Sequence, residues 1–213
     1  MGFFNRNRTK EKGIFTDPRD GKFYTTTKIG KQVWMAVNLA FEIPGKECQA
    51  DVEWDNKTYD QWCYYENNKL EYRKYGILYQ WEAAKAACPA GWHLPTDEEW
   101  EKLAAFIARK HGYSKDNDWE RVGNHLNSTS GWEDDVVSNF ALDNYGFSAL
   151  PGGYRDYHGS FGDAGHGGIW WSATPSDSSS AWNRGLYFTN EGVSRSDFYR
   201  SFGYAVRCVK DHK

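Results

Sequence analysis

The chain has 213 residues, and its 26 basic against 29 acidic side chains leave a formal charge of −3, too little excess of Lys and Arg to drive nucleic-acid binding by bulk charge. A mean hydropathy of −0.82 and the lack of any run of about 18 apolar residues exclude a helical membrane span. Eleven Trp, fourteen Tyr and twelve Phe exclude a disordered chain, and aromatics in this number must fill a core, coat a binding surface, or do both.

In chain order, residues 1–15 read as a flexible basic leader without the apolar run of a secretory signal. Residues 16–213 read as one domain. Turn chemistry at Asp17-Pro18-Arg19-Asp20-Gly21 precedes two strand-like runs, Lys22 to Ile29 and Gln32 to Leu39, which predict an opening hairpin. Tyr79 to Cys88 is rich in helix formers and stops at Pro89. Thr96-Asp97-Glu98-Glu99 is a capping box, and Trp100, Leu103, Ala104 and Ile107 form one apolar stripe behind it, with Gly112 as the terminator.

Residues 113–145 lack helical periodicity and read as an insertion or long loop. Eight of the 23 residues from Gly146 to Gly168 are glycine, which favours turns and close backbone approach. Short strand candidates follow at Gly168 to Ala173, Ala181 to Phe188, Gly192 to Arg195 and Gly203 to Lys210. A hairpin, two helices and a terminal run of strands make an α+β fold with an antiparallel sheet.

Several ordered motifs carry a resemblance. Asp20-Gly21-Lys22-Phe23-Tyr24, Ile29 to Leu39 (IGKQVWMAVNL), Trp62-Cys63-Tyr64-Tyr65, Tyr75 to Trp81 (YGILYQW), Ala87 to Trp100 (ACPAGWHLPTDEEW), Gly146 to Gly153 (GFSALPGG) and Val206-Arg207-Cys208-Val209-Lys210 resemble the Fibrobacter succinogenes major paralogous domain. The likeness spans about residues 17 to 211. That family is similar to the C-type lectin fold, which implies paired N- and C-terminal strands, two helices and a loop-rich half that carries the ligand site. It also implies a disulfide between Cys88 and Cys208, leaving Cys48 and Cys63. The residues alone leave one or two disulfides, or four thiols, equally open.

Ten of the 30 residues from Ser172 to Ser201 are Ser or Thr, interspersed with Tyr, Phe, Asn, Asp and Arg, the residue types of paratopes. Solvated hairpins are the plain reading of that composition. The segment, with its Trp-Ser-Ala-Thr, Ala-Trp-Asn and Gly-Tyr-Ala-Val-Arg strings, is also similar to the variable regions of proteins diversified by retroelements. That resemblance makes residues 170–207 a variable ligand-binding region, with Trp171, Trp182, Gly203, Val206 and Arg207 as scaffold. The ligand-facing residues are then Ser176, Asp177, Ser178, Ser179, Asn183, Arg184, Tyr187, Ser194, Arg195, Ser196, Asp197, Phe198 and Tyr199. The expected partner is a protein or glycan on another cell or particle, with the chain displayed on a cell surface or phage virion.

No cofactor and no catalytic residue is expected. Classical calcium-lectin tripeptides are missing, and Trp182-Asn183-Arg184 puts a cation where a calcium site needs a carboxylate. The six histidines lack ligand spacing, and His93 reads as a satisfied structural histidine; the cluster of His158, His166, Asp156 and Asp163 is a weak metal pattern. The enzymatic alternative is an oxidase of the formylglycine-generating type, which needs a reactive cysteine, whereas Cys208 lies in an alternating strand pattern that buries it. A structural envelope module is the third reading.

Overall fold

A computed structural model describes residues 12–48, 58–113, 119–133 and 141–211. Strands β1 (Lys12–Thr16), β2 (Phe23–Ile29) and β3 (Gln32–Met35) form an antiparallel meander, with Gly30 at φ +63° in the tight turn between β2 and β3. Residues 12–15, expected to belong to a flexible leader, are therefore part of the sheet. Lys12 to Phe15 pair with β2, and residues 1–11 lie outside the described region. β1 is an edge strand exposed on most of its length, so no apolar alternation marked it.

Strands β4 (Trp62–Cys63), β5 (Leu78–Tyr79) and β6 (Trp92–His93) are short. One helical turn, α1 (Lys69–Tyr72), joins the two expected helices, α2 (Trp81–Ala87) and α3 (Asp97–His111). α3 begins at the capping box. The Glu99 N–H donates to Thr96 Oγ1 at 3.2 Å and the Thr96 N–H returns a bond to Glu99 Oε2 at 2.8 Å. It ends at Gly112 in the left-handed conformation (φ 74°).

The second half is mostly strand: β7 (Gly152–Arg155), β8 (Phe161–Ala164), β9 (Gly167–Pro175), β10 (Ser180–Tyr187), β11 (Asn190–Tyr199), β12 (Tyr204–Ala205) and β13 (Val209–Lys210). A five-stranded sheet has the order β1-β2-β3-β13-β6, so the last strand closes onto the opening meander. A second sheet runs β11-β10-β9-β12-β5-β4, and β7 joins it beside β9 with β8 on its outer side. Pairing is antiparallel except where β9 meets β12 and β7. The architecture is mixed α and β with few helices, compatible with an α+β class.

Two aromatic cores hold the layers together. Trp34, Trp100 and Phe147 pack under α3, with the Trp34 and Trp100 rings 4.8 Å apart. Trp62, Tyr79, Trp81, Trp171 and Tyr204 fill the other, where Trp171 and Tyr204 lie 4.5 Å apart. Cys88 at the end of α2 and Cys208 before β13 form a disulfide across 120 residues, with Cα atoms 6.1 Å apart. Cys48 and Cys63 are free and buried.

The described residues of the 113–145 stretch pack on the body of the fold. Trp119, Val122 and Leu126 are buried in the α3 core, and a 3-10 turn at Gly123–His125 abuts β11. Their spacing is neither helical nor alternating, so no period revealed them. Arg207 is fully buried: Nη2 donates to Asn38 Oδ1 at 2.7 Å, Nη1 donates to the Phe147 carbonyl, and burial pushes its pKa down to about 9.

Candidate functional site

The sequence-predicted ligand residues divide into three groups in space. Ser176, Asp177, Ser178 and Ser179 form the turn between β9 and β10. Asp177 organises it: Oδ1 accepts from the Ser179 N–H at 2.6 Å, the Ser179 hydroxyl at 3.0 Å and the Ser180 N–H at 2.7 Å. Those backbone donors hold the Asp177 carboxyl below its ordinary pKa. Asp197, Phe198 and Tyr199 end β11 beside this turn, because the register sets Ser180 opposite Tyr199, and Ser176 Oγ donates to Asp197 Oδ2 at 3.0 Å. Phe198 (45 % exposed) and Tyr199 (57 %) are among the few large apolar side chains left open to solvent.

A second group is interior. Asn183 and Arg184 are 3 % and 1 % exposed and cannot face a ligand. Arg184 binds carboxylates of its own chain: Nη2 donates to Asp97 Oδ1 at 2.6 Å and Glu101 Oε1 at 2.9 Å on the first two turns of α3. β10 is an interior strand between β9 and β11 and is buried on both faces, so neighbouring residues are enclosed together and the sequence carries no alternation to reveal it.

The third group sits apart from the β9–β10 turn. Arg195 lies over the Trp182 ring at 3.3 Å and donates to Asp97 Oδ2 at 3.0 Å, stitching β11 to α3. Ser194 and Ser196 are half-buried, and Ser194 Oγ bonds the Gly185 carbonyl. Tyr187 is half-buried at the opposite end of the hairpin, paired with Asn190. These residues do not join the turn.

Two residues that composition did not mark, Tyr59 and Tyr157, complete the surface. Tyr59, Tyr157, Ser179, Tyr199 and Ser201 line a concavity of about 220 Å³. The Tyr157 and Tyr199 rings stand at 89° with centroids 6.4 Å apart, and Tyr157 also packs on Phe202 at 5.8 Å. The one available signal for Tyr157 was an aromatic in a glycine-rich stretch, where a bulky side chain has little else to pack on.

The N terminus of α2 holds two walls of this concavity. Its orphan N–H groups are taken by backbone carbonyls, Glu82 N–H by Tyr59 at 2.9 Å and Trp81 N–H by Arg200 at 3.1 Å. Tyr59 adopts φ 53° to present that carbonyl, a conformation uncommon for a side chain of this size. Gln80, fully buried, accepts from the Gln61 N–H and donates to the Ser201 carbonyl. Arg200 lies over the Trp81 ring at 4.3 Å and donates to the Asp177 carbonyl at 2.7 Å, tying the β9–β10 turn to the same fixed point. The surface is thus neutral and aromatic at its centre, hydroxyl-rich at its edge, and braced from below.

Elsewhere, His93 is bonded on both nitrogens, to Asp211 at 2.5 Å and to Glu99 at 2.9 Å, as expected of a structural histidine. Asp156 Oδ1 is committed to the backbone N–H groups of His158 and Ser160. Among the described residues no group of three or more His, Cys, Asp or Glu gathers as a metal site. No helix there is long and apolar enough to cross a membrane.

No curated protein and no solved structure matches the chain significantly. A family model does: the Fibrobacter succinogenes major domain matches residues 27–210, from β2 to the final strand. The match covers the second sheet, the first sheet from the end of β2 onward, the disulfide and the concavity, so the chain is a member of the Fibrobacter succinogenes major domain family.

Proposed function

We propose that the chain is a ligand-recognition module on a C-type lectin-like scaffold, displayed on a cell surface or phage virion, whose ligand is a protein or glycan on another cell or particle. The observation that carries this reading is the convergence of Tyr59, Tyr157 and Tyr199 with Ser179 and Ser201 on one braced concavity, beside exposed Phe198. Rigid aromatics give contact area at low entropic cost and small hydroxyls adapt to a partner. Closure of the last strand onto the first meander and the Cys88–Cys208 bond support the scaffold reading.

Diversification by a retroelement belongs to the same proposal, with a narrower variable set. Ser176, Asp177, Ser178, Ser179, Asp197, Phe198 and Tyr199 are open to change, while Asn183 and Arg184 are fixed by burial. Sequencing of sibling alleles tests this. Substitutions should concentrate at the exposed positions and spare codons 183 and 184; an even spread along the chain removes the diversification reading. The formylglycine-generating alternative loses its expected nucleophile, because Cys208 is bonded to Cys88 and has no exposed surface.

A further inference from the structure

Cys48 and Cys63 play no part in the surface described above, and their surroundings differ from those of Cys88 and Cys208. The Cys48 N–H donates to the Trp62 carbonyl at 2.9 Å and the Trp62 N–H to the Lys46 carbonyl at 3.0 Å. This pairing, a parallel bridge between Glu47 and Trp62, lays residues 46–48 alongside β4 and sets Cys48 next to Cys63. Adjacent strands lie about 4.8 Å apart, within the roughly 4.4–6.8 Å between Cα atoms that a disulfide spans. Directly opposed residues on neighbouring strands send their side chains to the same face, so this register presents the two buried sulfurs to each other.

The two thiols are chemically unequal. The Cys63 S–H bond holds the Cys48 thiol below its ordinary pKa against the opposing effect of burial, and the Arg155 guanidinium adds to the lowering. Burial drives the Cys63 thiol upward. Cys48 also donates to Asn67 Oδ1 at 3.1 Å and keeps 8 % of its surface, against 2 % for Cys63. One cysteine is thus the natural attacking sulfur and the other the natural resolving one.

We propose that Cys48 and Cys63 form a thiol–disulfide exchange site, a second cysteine pair that closes reversibly with a small-molecule disulfide of the glutathione class. The Cys48 thiolate attacks one sulfur of the glutathione disulfide, whose S–S bond breaks. One glutathione leaves as a thiolate and takes up the proton that Cys48 released. The Cys63 sulfur then attacks the Cys48 sulfur of the mixed disulfide, whose bond to glutathione breaks as the Cys48–Cys63 bond forms, and the second glutathione leaves as a thiolate and takes up the proton that Cys63 gives up. Two protein thiols are oxidised and one glutathione disulfide is reduced to two thiols. The site stands independently of the ligand-recognition reading, since neither cysteine lines the tyrosine concavity.

The test uses the full chain, folded, equilibrated in glutathione buffers of stepped reduced-to-oxidised ratio, acid-quenched, alkylated and mapped by peptide mass spectrometry. The expected result is a Cys48–Cys63 linked peptide that accumulates in oxidising buffer and disappears on return to reducing buffer, while Cys88–Cys208 persists throughout. With Cys63→Ser, glutathione should be trapped on Cys48; with Cys48→Ser, Cys63 should remain an unmodified thiol. Circular dichroism of each sample shows that it stays folded. Full alkylation of both thiols in the most oxidising buffer, pairing only after denaturation, or glutathione trapped on Cys63 in preference to Cys48 would overturn the proposal.

Discussion

At the scale of single residues, composition marks a segment, and the packing of its strands decides which of its side chains face out. Arg184 illustrates the limit. Its residue type pointed to carboxylate binding, and its register turned that chemistry inward, onto Asp97 and Glu101. Removing it with Arg184→Ala takes the buried cation away from two carboxylates near the start of α3, leaving Asp97 with Arg195 and Glu101 with the Trp119 indole N–H. Because both keep some contact with water, a cost of about 2–3 kcal/mol is expected, near the lower end for a broken buried pair. Urea denaturation checks this; a change within about 0.5 kcal/mol, the range of an ordinary surface substitution, would mean that the pair contributes nothing.

His93 gives a second prediction at this scale. Burial pulls its imidazolium pKa down, but the hydrogen bonds to Asp211 and Glu99 outweigh it and hold the pKa above its ordinary 6.5. Burial likewise pushes Glu99 up, and the Thr96 N–H with His93 overcomes it, leaving Glu99 below its ordinary 4.5. The raised histidine stabilises fully below 6.5 and loses that contribution as pH rises through its folded value. The lowered carboxyl stabilises above 4.5 and loses its share as pH falls. The contribution of this pair to the thermal midpoint should therefore be largest between about 4.5 and 6.5, and His93→Asn should remove its share of the fall on the alkaline limb. An unchanged alkaline limb in that variant would assign the pH dependence to other groups.

At the scale of elements, local chemistry was legible and non-local packing was not. The Thr96 capping box, the stop at Pro89 and the Gly112 terminator are signals within a few residues, and they set α2 and α3. β1 and the Trp119 to Leu126 stretch depend on what they touch across the fold, which nothing local in their sequences records. Gly123 tests that packing. A Cβ there would meet the Gly192 carbonyl oxygen at 2.4 Å and the Glu191 carbonyl oxygen at 2.7 Å, both backbone atoms of β11. Gly123→Ala should lower stability by about 2 kcal/mol, within the range for overpacking, and should raise amide exchange along β11. A neutral substitution would mean that the 3-10 turn does not bear on the strand.

At the scale of the whole molecule, the family motifs carry scaffold and the distinctive chemistry lies between them. Trp34, Trp81, Trp92 and Trp100, all within those motifs, are buried, whereas Phe198 and Tyr199 are open. The concavity needs pieces distant in sequence: Tyr59 from before β4, Tyr157 from the β7–β8 turn, and Ser179, Tyr199 and Ser201 around the β10–β11 hairpin. Only the last group was visible in composition, because nothing local records that Tyr59 and Arg200 share the N terminus of α2. The central claim is that this assembled surface recognises a ligand on other cells or particles. It is tested most directly by flow cytometry of a bacterial strain panel stained with the fluorescently labelled chain, the Tyr157→Ala/Tyr199→Ala variant serving as comparison. Staining of at least one strain is expected, with at least a tenfold higher half-saturation concentration for the variant, or about 1.4 kcal/mol, while both proteins keep the same thermal midpoint. Equal staining by the two proteins, or none by either, would contradict the claim.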